Sequence, residues 1–169
     1  MARRVSLREF QQALARRLNE AAAADAPSAR LGVQVGSEFW LARLEEAGEV
    51  IPVPAIAHVP LTRGWFRGLA NIRGNLFSVV DLAAYQGGEP TAQTPDARLL
   101  LVAERYHLNA ALLVSRMLGL RNLQHFAPRA GAAERPWEAA RYADKSGQVW
   151  RELSMNELVY SEGFLQAGV

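Results

Sequence analysis

The stretch GWFRGLANIRGNLFSVVDLAAYQGG, residues 64–88, decides the reading of this chain. Residues 76–82 form a β-strand signal of branched and aromatic side chains, opened by a turn at Gly74-Asn75. Gly74 suits a backbone position at positive φ, and Asn71 can bond nearby backbone groups and close the turn. Arg73 between them carries a rigid five-donor fork, suited to a carboxylate or carbonyl partner. Asp81 is placed to cap a short helical turn, LAAYQ, which Gly87-Gly88 ends. The glycines at 68 and 74 do not make a nucleotide loop. The Gly-Lys-Ser/Thr of a phosphate loop is absent, and a strand follows where a dinucleotide fingerprint would open a helix.

Outward from this stretch the period remains that of strands. Leu31, Val33 and Val35 alternate with Gly32, Gln34 and Gly36, and a turn at Gly36-Ser37 leads into an apolar run at residues 39–42, a hairpin. Pro52, Pro54 and Pro60 confine EVIPVPAIAHVP to an edge strand and an extended loop. Residues 89–97 read as loop, and residues 98–103 and 108–114 as a second hairpin around a polar turn. A looser segment, residues 124–136, precedes a last strand pair near residues 141–153 and a C-terminal helix at 155–165. Short strands with brief helices between them indicate one or two small barrels.

The N-terminus differs. Ser6 and Glu9 have capping-box spacing, Val5 and Phe10 that of a hydrophobic staple, and Leu7, Phe10, Leu14 and Leu18 form one apolar stripe, so residues 6–24 read as an amphipathic helix. That stripe can pack on the body or dock a partner. The small residues and proline of AAAADAPSAR mark a linker, giving a helix and linker over 1–26 and the main domain over 27–169.

Composition removes several function classes. At 169 residues, half of them apolar, the chain is long enough for one cored domain, and no apolar run reaches the roughly 18 residues of a membrane-spanning helix. Direct membrane insertion is therefore not expected. Cysteine is absent, which excludes disulfides and thiolate chemistry and is compatible with a cytoplasmic address. Arg3-Arg4 resembles a twin-arginine signal, but polar residues follow where an apolar region would begin. Net charge is +2, with Lys145 the sole lysine, unlike the clustered Lys and Arg of a nucleic-acid binder. Arg63, Arg67 and Arg73 are the densest mid-chain basic group, so a barrel binding RNA or DNA through them is an alternative reading. His58, His107 and His125 are isolated and lack metal-ligand spacing, so no metal or cofactor is expected. No G-x-S-x-G elbow or paired carboxylate stands out. A hydrolase or transferase would need His58 or His107 as base with a partner recruited from afar.

The central stretch closely resembles the signature of the CheW-like family, with Gly68, Asn71, Arg73, Gly74, Val80, Asp81 and Leu82 at the family's offsets. LGVQVGSEFWLARLEEAGEVIPV is similar to its opening strands, and RLLLVAERYHLNAALLVSRMLGL to its second-half hairpin, so the resemblance covers roughly residues 31–160. It implies a mainly β fold of two packed five-stranded SH3-like barrels, here with an extra N-terminal helix and short helices. It also implies a non-catalytic adaptor without cofactors, cytoplasmic and recruited to membrane-associated receptor arrays. Its partners would be the cytoplasmic tip of a methyl-accepting chemoreceptor and the regulatory domain of a CheA-type histidine kinase. On that reading the receptor contact comprises Arg73 with Asn71 and Gly74, and apolar Leu44, Val50 and Ile51 near the groove between barrels; Asn71 and Arg73 can alternatively brace the turn. The long N-terminal helix and arginine-rich edge look most like the adaptors of type IV pilus systems controlling twitching motility, the alternative being flagellar chemotaxis. One departure is Glu152-Leu153-Ser154-Met155, where serine stands for the family's capping aspartate.

Overall fold

The computed structural model describes residues 28–164 and 166–169; the expected helix at 6–24 lies outside them. Twelve strands are described: β1 (Ala29–Val35), β2 (Glu38–Arg43), β3 (Ala47–Pro52), β4 (Ile56–Ala57), β5 (Phe66–Ile72), β6 (Asn75–Asp81), β7 (Arg98–Val102), β8 (Ala110–Val114), β9 (Arg116–Asn122), β10 (Ala127–Pro128), β11 (Glu138–Ala143) and β12 (Val149–Leu153). Two short helices join them, α1 (Leu82–Tyr85) and α2 (Met155–Val159). The described residues start in one sheet, ordered β10-β11-β12-β2-β1-β9, pass through the whole of a second, β3-β7-β8-β6-β5-β4, and return. Each sheet thus has the five substantial strands expected, plus a two-residue edge strand, β10 or β4.

Both sheets roll towards closure. Glu49 on β3 reaches Arg73, beyond β6, at 2.6 Å, although β7 and β8 separate β3 from β6 in the sheet. Likewise the Arg121 guanidinium of β9 lies 5.4 Å from the Trp150 ring of β12, with β1 and β2 between them in sheet order. Flat sheets would hold such strands about 14 Å apart at the usual spacing.

The apolar runs RLLLV and AALLV follow from this packing. On β7, Leu100 and Val102 face the core between the sheets, whereas Leu99 and Leu101 face the interior of the second barrel; β8 divides its residues in the same way. Strands covered on both faces have no polar side. The first barrel is filled differently, with Phe39, Phe126 and Tyr142 around Trp150 and with buried Glu152, which accepts hydrogen bonds from Arg30, Arg43 and Tyr142. Burial raises the Glu152 pKa, but the two arginines outweigh it and hold the carboxyl below its ordinary value.

Four details depart from expectation. Residues 66–72, read only as the stretch before a strand, themselves form β5. Strand β9 was not foreseen, because Gly119 and the bulge opposite Gly32/Val33 interrupt its alternation. The segment read as loose contains a 3-10 turn, Leu123–His125, and β10. Helix α2 ends at Val159 instead of continuing to 165, where the Ser161 amide and hydroxyl both bond the Leu158 carbonyl. In line with the capping ability of serine, Ser154 caps α2 in place of the family's aspartate, its oxygen accepting from the Glu157 amide at 3.2 Å, and buried Glu46 adds a second cap on the Met155 amide.

The β11–β12 hairpin is closed by Asp144. Its carboxylate accepts from the Ser146 hydroxyl and amide, the Gln148 amide and the Trp150 indole. These bonds, that from the Ser146 hydroxyl foremost, lower its pKa to about 2. Because the folded value is below the unfolded one of ~3.9, this contribution is complete above about pH 4 and is lost as pH falls through 2. The Ser146 amide and Trp150 indole NMR signals should therefore keep native positions at pH 3 and titrate near 2; a midpoint near 4 would show that the network does not hold the charge.

Candidate functional site

The site is built on the tip of the β5–β6 hairpin. Ile72 pairs with Asn75, which leaves Arg73-Gly74 as a two-residue loop, one position earlier than the turn expected at Gly74-Asn75. Both loop residues have positive φ, +52° and +85°, the geometry of a type I′ turn whose twist matches the flanking strands. Gly74 adopts it freely; Arg73 adopts it under strain that its neighbours must offset. One such neighbour is Asn71, whose Oδ1 accepts from the Gly74 amide at 2.9 Å. Asn71 thus braces the turn.

The strained position fixes where the Arg73 side chain leaves the sheet. Its Nη2 donates to Glu49 Oε1 at 2.6 Å, and the side chains remain 71% and 42% exposed. That hydrogen bond raises the Arg73 pKa and, as the main cause, lowers that of Glu49. Glu49 can reach because β3 leaves its ladder between Ala47 and Val50. Below the pair a cavity of about 280 Å³ opens between strands, with Phe77, Leu101 and Glu104 in its wall. Leu76, paired with Asn71 across the hairpin, is 59% exposed beside the loop. Neither Leu76 nor Glu49 was picked as a site residue from the sequence, although period-two alternation with interior Phe77 and Val79 already turns Leu76 outward.

The three apolar candidates separate. Leu44 lies partly exposed at the turn where the chain crosses from the first sheet to the second. Val50 packs on the core between the sheets, whereas Ile51 turns the opposite way onto the interior of the second barrel. Val50 and Ile51 are half-buried, and consecutive strand residues cannot share a face.

Behind the hairpin, Asp81 does more than cap. It accepts from the Ala84 amide as expected, at 3.3 Å, but it is also completely buried and accepts from the Thr91 amide and hydroxyl, both at 2.7 Å, and from Arg67 at 3.1 Å. It therefore ties β6 to the start of α1, to β5 and to the loop at residue 91.

His58, His107 and His125 are exposed and well apart in the chain, and among the described residues no three His, Cys, Asp or Glu side chains form a metal-sized group. No described helix is long and apolar enough to cross a membrane.

With this geometry in hand, the comparisons with known proteins agree with one another. The family model described as "CheW-like domain" matches residues 30–163. Protein PilI of Pseudomonas aeruginosa is 31% identical over 145 residues, covering 82% of this chain and 79% of that protein. The crystal structure of the scaffolding protein TtCheW from Thermoanaerobacter tengcongensis superposes with a TM-score of 0.64 at 16% identity, over 75% of this chain and 88% of that one; at this identity the likeness concerns the fold.

Proposed function

Because the chain belongs to the CheW-like domain family, we propose that it is a non-catalytic adaptor coupling a methyl-accepting chemoreceptor to a CheA-type histidine kinase. The pathway proposed is the chemosensory control of type IV pili and twitching motility, with the cytoplasmic protein recruited to membrane-associated receptor arrays. The observation that carries the reading is the family match across residues 30–163; the likeness to PilI supports the pilus assignment over flagellar chemotaxis. The geometry is compatible with surface recognition. Arg73 presents an oriented charge and Leu76 an exposed apolar side chain on one hairpin tip, the mixture of apolar area and fixed charge that protein interfaces use. In this reading a receptor-helix carboxylate or carbonyl shares or replaces Glu49 on the Arg73 fork, while the kinase domain contacts the barrel ends.

The nucleic-acid alternative loses ground on charge. Of its three arginines, Arg67 is paired with Asp81 and Arg73 with Glu49.

Arg73→Ala tests the receptor site. Removing one charge-assisted hydrogen bond is expected to weaken receptor-fragment binding about tenfold or more, with little change in melting temperature because exposed ion pairs add little stability. Kinase-domain affinity should be retained. Equal losses for both partners in parallel calorimetric titrations, or a large drop in melting temperature, would make Arg73 a structural brace and place the receptor site elsewhere.

A further inference from the structure

The cavity in the mouth of the first barrel has a volume of about 530 Å³, within the usual ~300–1,000 Å³ of small-molecule sites. It lies among the end of β9, the following 3-10 turn and the β11–β12 hairpin. Its apolar wall is aromatic, with Phe126 edge-on to Trp150 at 5.6 Å between ring centroids. Three basic side chains line it, Arg121, His125 and Lys145.

Arg43, Arg67, Arg73, Arg135, Arg141 and Arg151 each meet a carboxylate. Among the described residues, no carboxylate lies within ion-pair distance of Arg121, His125 or Lys145; Arg121 instead lies over the face of Trp150. Arg63, Arg98, Arg105, Arg116 and Arg129 also lack an ion-pair partner among the described residues, but here three basic side chains without one share a single cavity. The acid in the lining, Asp144, has its oxygens engaged by its own hairpin, Oδ1 by Ser146 and Gln148 and Oδ2 by the Trp150 indole. Two cations, Arg121 and Lys145, and the imidazole of His125 thus line an aromatic-walled pocket whose carboxylate, Asp144, is turned into its own hairpin. A guanidinium held over an indole offers both a plane on which a flat ring can stack and a fork for phosphate oxygens.

We propose that the mouth of the first barrel binds a small anion carrying a planar ring, of the nucleoside monophosphate class. Lys145, His125 and Arg121 receive the phosphate, and Phe126 with the Arg121 plane receives the ring. This site is separate from the Arg73 hairpin; it lies at a barrel end, where the adaptor reading also places the kinase contact, and ligand binding to the isolated chain tests it without that partner.

The test titrates the full chain with adenosine 5′-monophosphate, following the Trp150 indole N–H by NMR, assigned with Trp150→Phe, and binding heat by calorimetry. Inorganic phosphate and adenosine serve as the ringless and chargeless probes. Saturable binding with Kd below about 1 mM is expected, with each control probe at least about tenfold weaker. Lys145→Ala should weaken binding about tenfold at unchanged melting temperature, since Lys145 is exposed, and Arg73→Ala should leave it unchanged. No saturable response, equal binding of phosphate or adenosine, or an undiminished affinity in Lys145→Ala would each overturn the proposal.

Discussion

Replacing Asp81 with alanine is expected to destabilise the fold by about 3–5 kcal/mol, the cost of breaking a buried ion pair by removing one partner. A helix cap alone would account for about 1 kcal/mol. The larger figure follows from what is left behind. The Thr91 amide and hydroxyl both lose their buried acceptor, the Ala84 amide loses its cap, and partly buried Arg67 loses its carboxylate. Each orphaned buried group adds its own desolvation cost. Urea unfolding of wild type and Asp81→Ala measures the difference directly. A loss near 1 kcal/mol would mean that water enters the site and replaces the missing oxygens, whereas a loss of about 3 kcal/mol or more confirms a closed polar network.

Gly68→Ala is expected to be comparably damaging, for a steric reason. Gly68 sits at the bulge of β5 with φ of +129°, and a Cβ there would lie 2.1 Å from the Ala57 carbonyl oxygen and 2.8 Å from its carbon. These are backbone atoms of β4 and cannot rotate away. Either β4 detaches from β5, losing the Ile56–Ala70 and Ala57–Leu69 pairings, or the bulge is rebuilt. A cost of about 3 kcal/mol or more follows, at the upper end for single substitutions. Gly64→Ala is the matched control, since nothing lies within 4 Å of the Cβ position there, and it should change stability by no more than about 0.5 kcal/mol. Thermal melts of the two variants compare them; similar, small effects would show that β4 yields easily.

These two residues also mark how far the sequence could be read. Most of the strands followed from alternation, turn residues and apolar runs, all of which are local; β5 did not, because Gly68 and its bulge break the period. The Asp81 cap was local as well, and it was anticipated. Its bonds to Thr91 were not, because residue 91 lies in a stretch legible only as loop, and which loop residue folds back onto a buried carboxylate is decided by tertiary packing. The hairpin tip shows the same limit at shorter range. Gly74 pointed to positive φ, but only the pairing of Ile72 with Asn75 makes Arg73 share that conformation. The Glu49 partner of Arg73 requires rolling of the second sheet, a property of the whole barrel. Strand β9 was hidden because a bulge breaks its period. The candidate receptor residues came from the family resemblance, and side-chain periodicity alone would have separated Val50 from Ile51.

The adaptor function is tested most directly by asking whether one chain holds both partners at once. Full-length protein, a chemoreceptor cytoplasmic-tip fragment and a CheA-type regulatory domain can be mixed in pairs and all together and followed by sedimentation velocity. The expected result is a separate complex of the chain with each partner and, in the three-way mixture, a larger species containing all three. Binding of only one partner, or displacement of one by the other from the chain, would contradict an adaptor that bridges them.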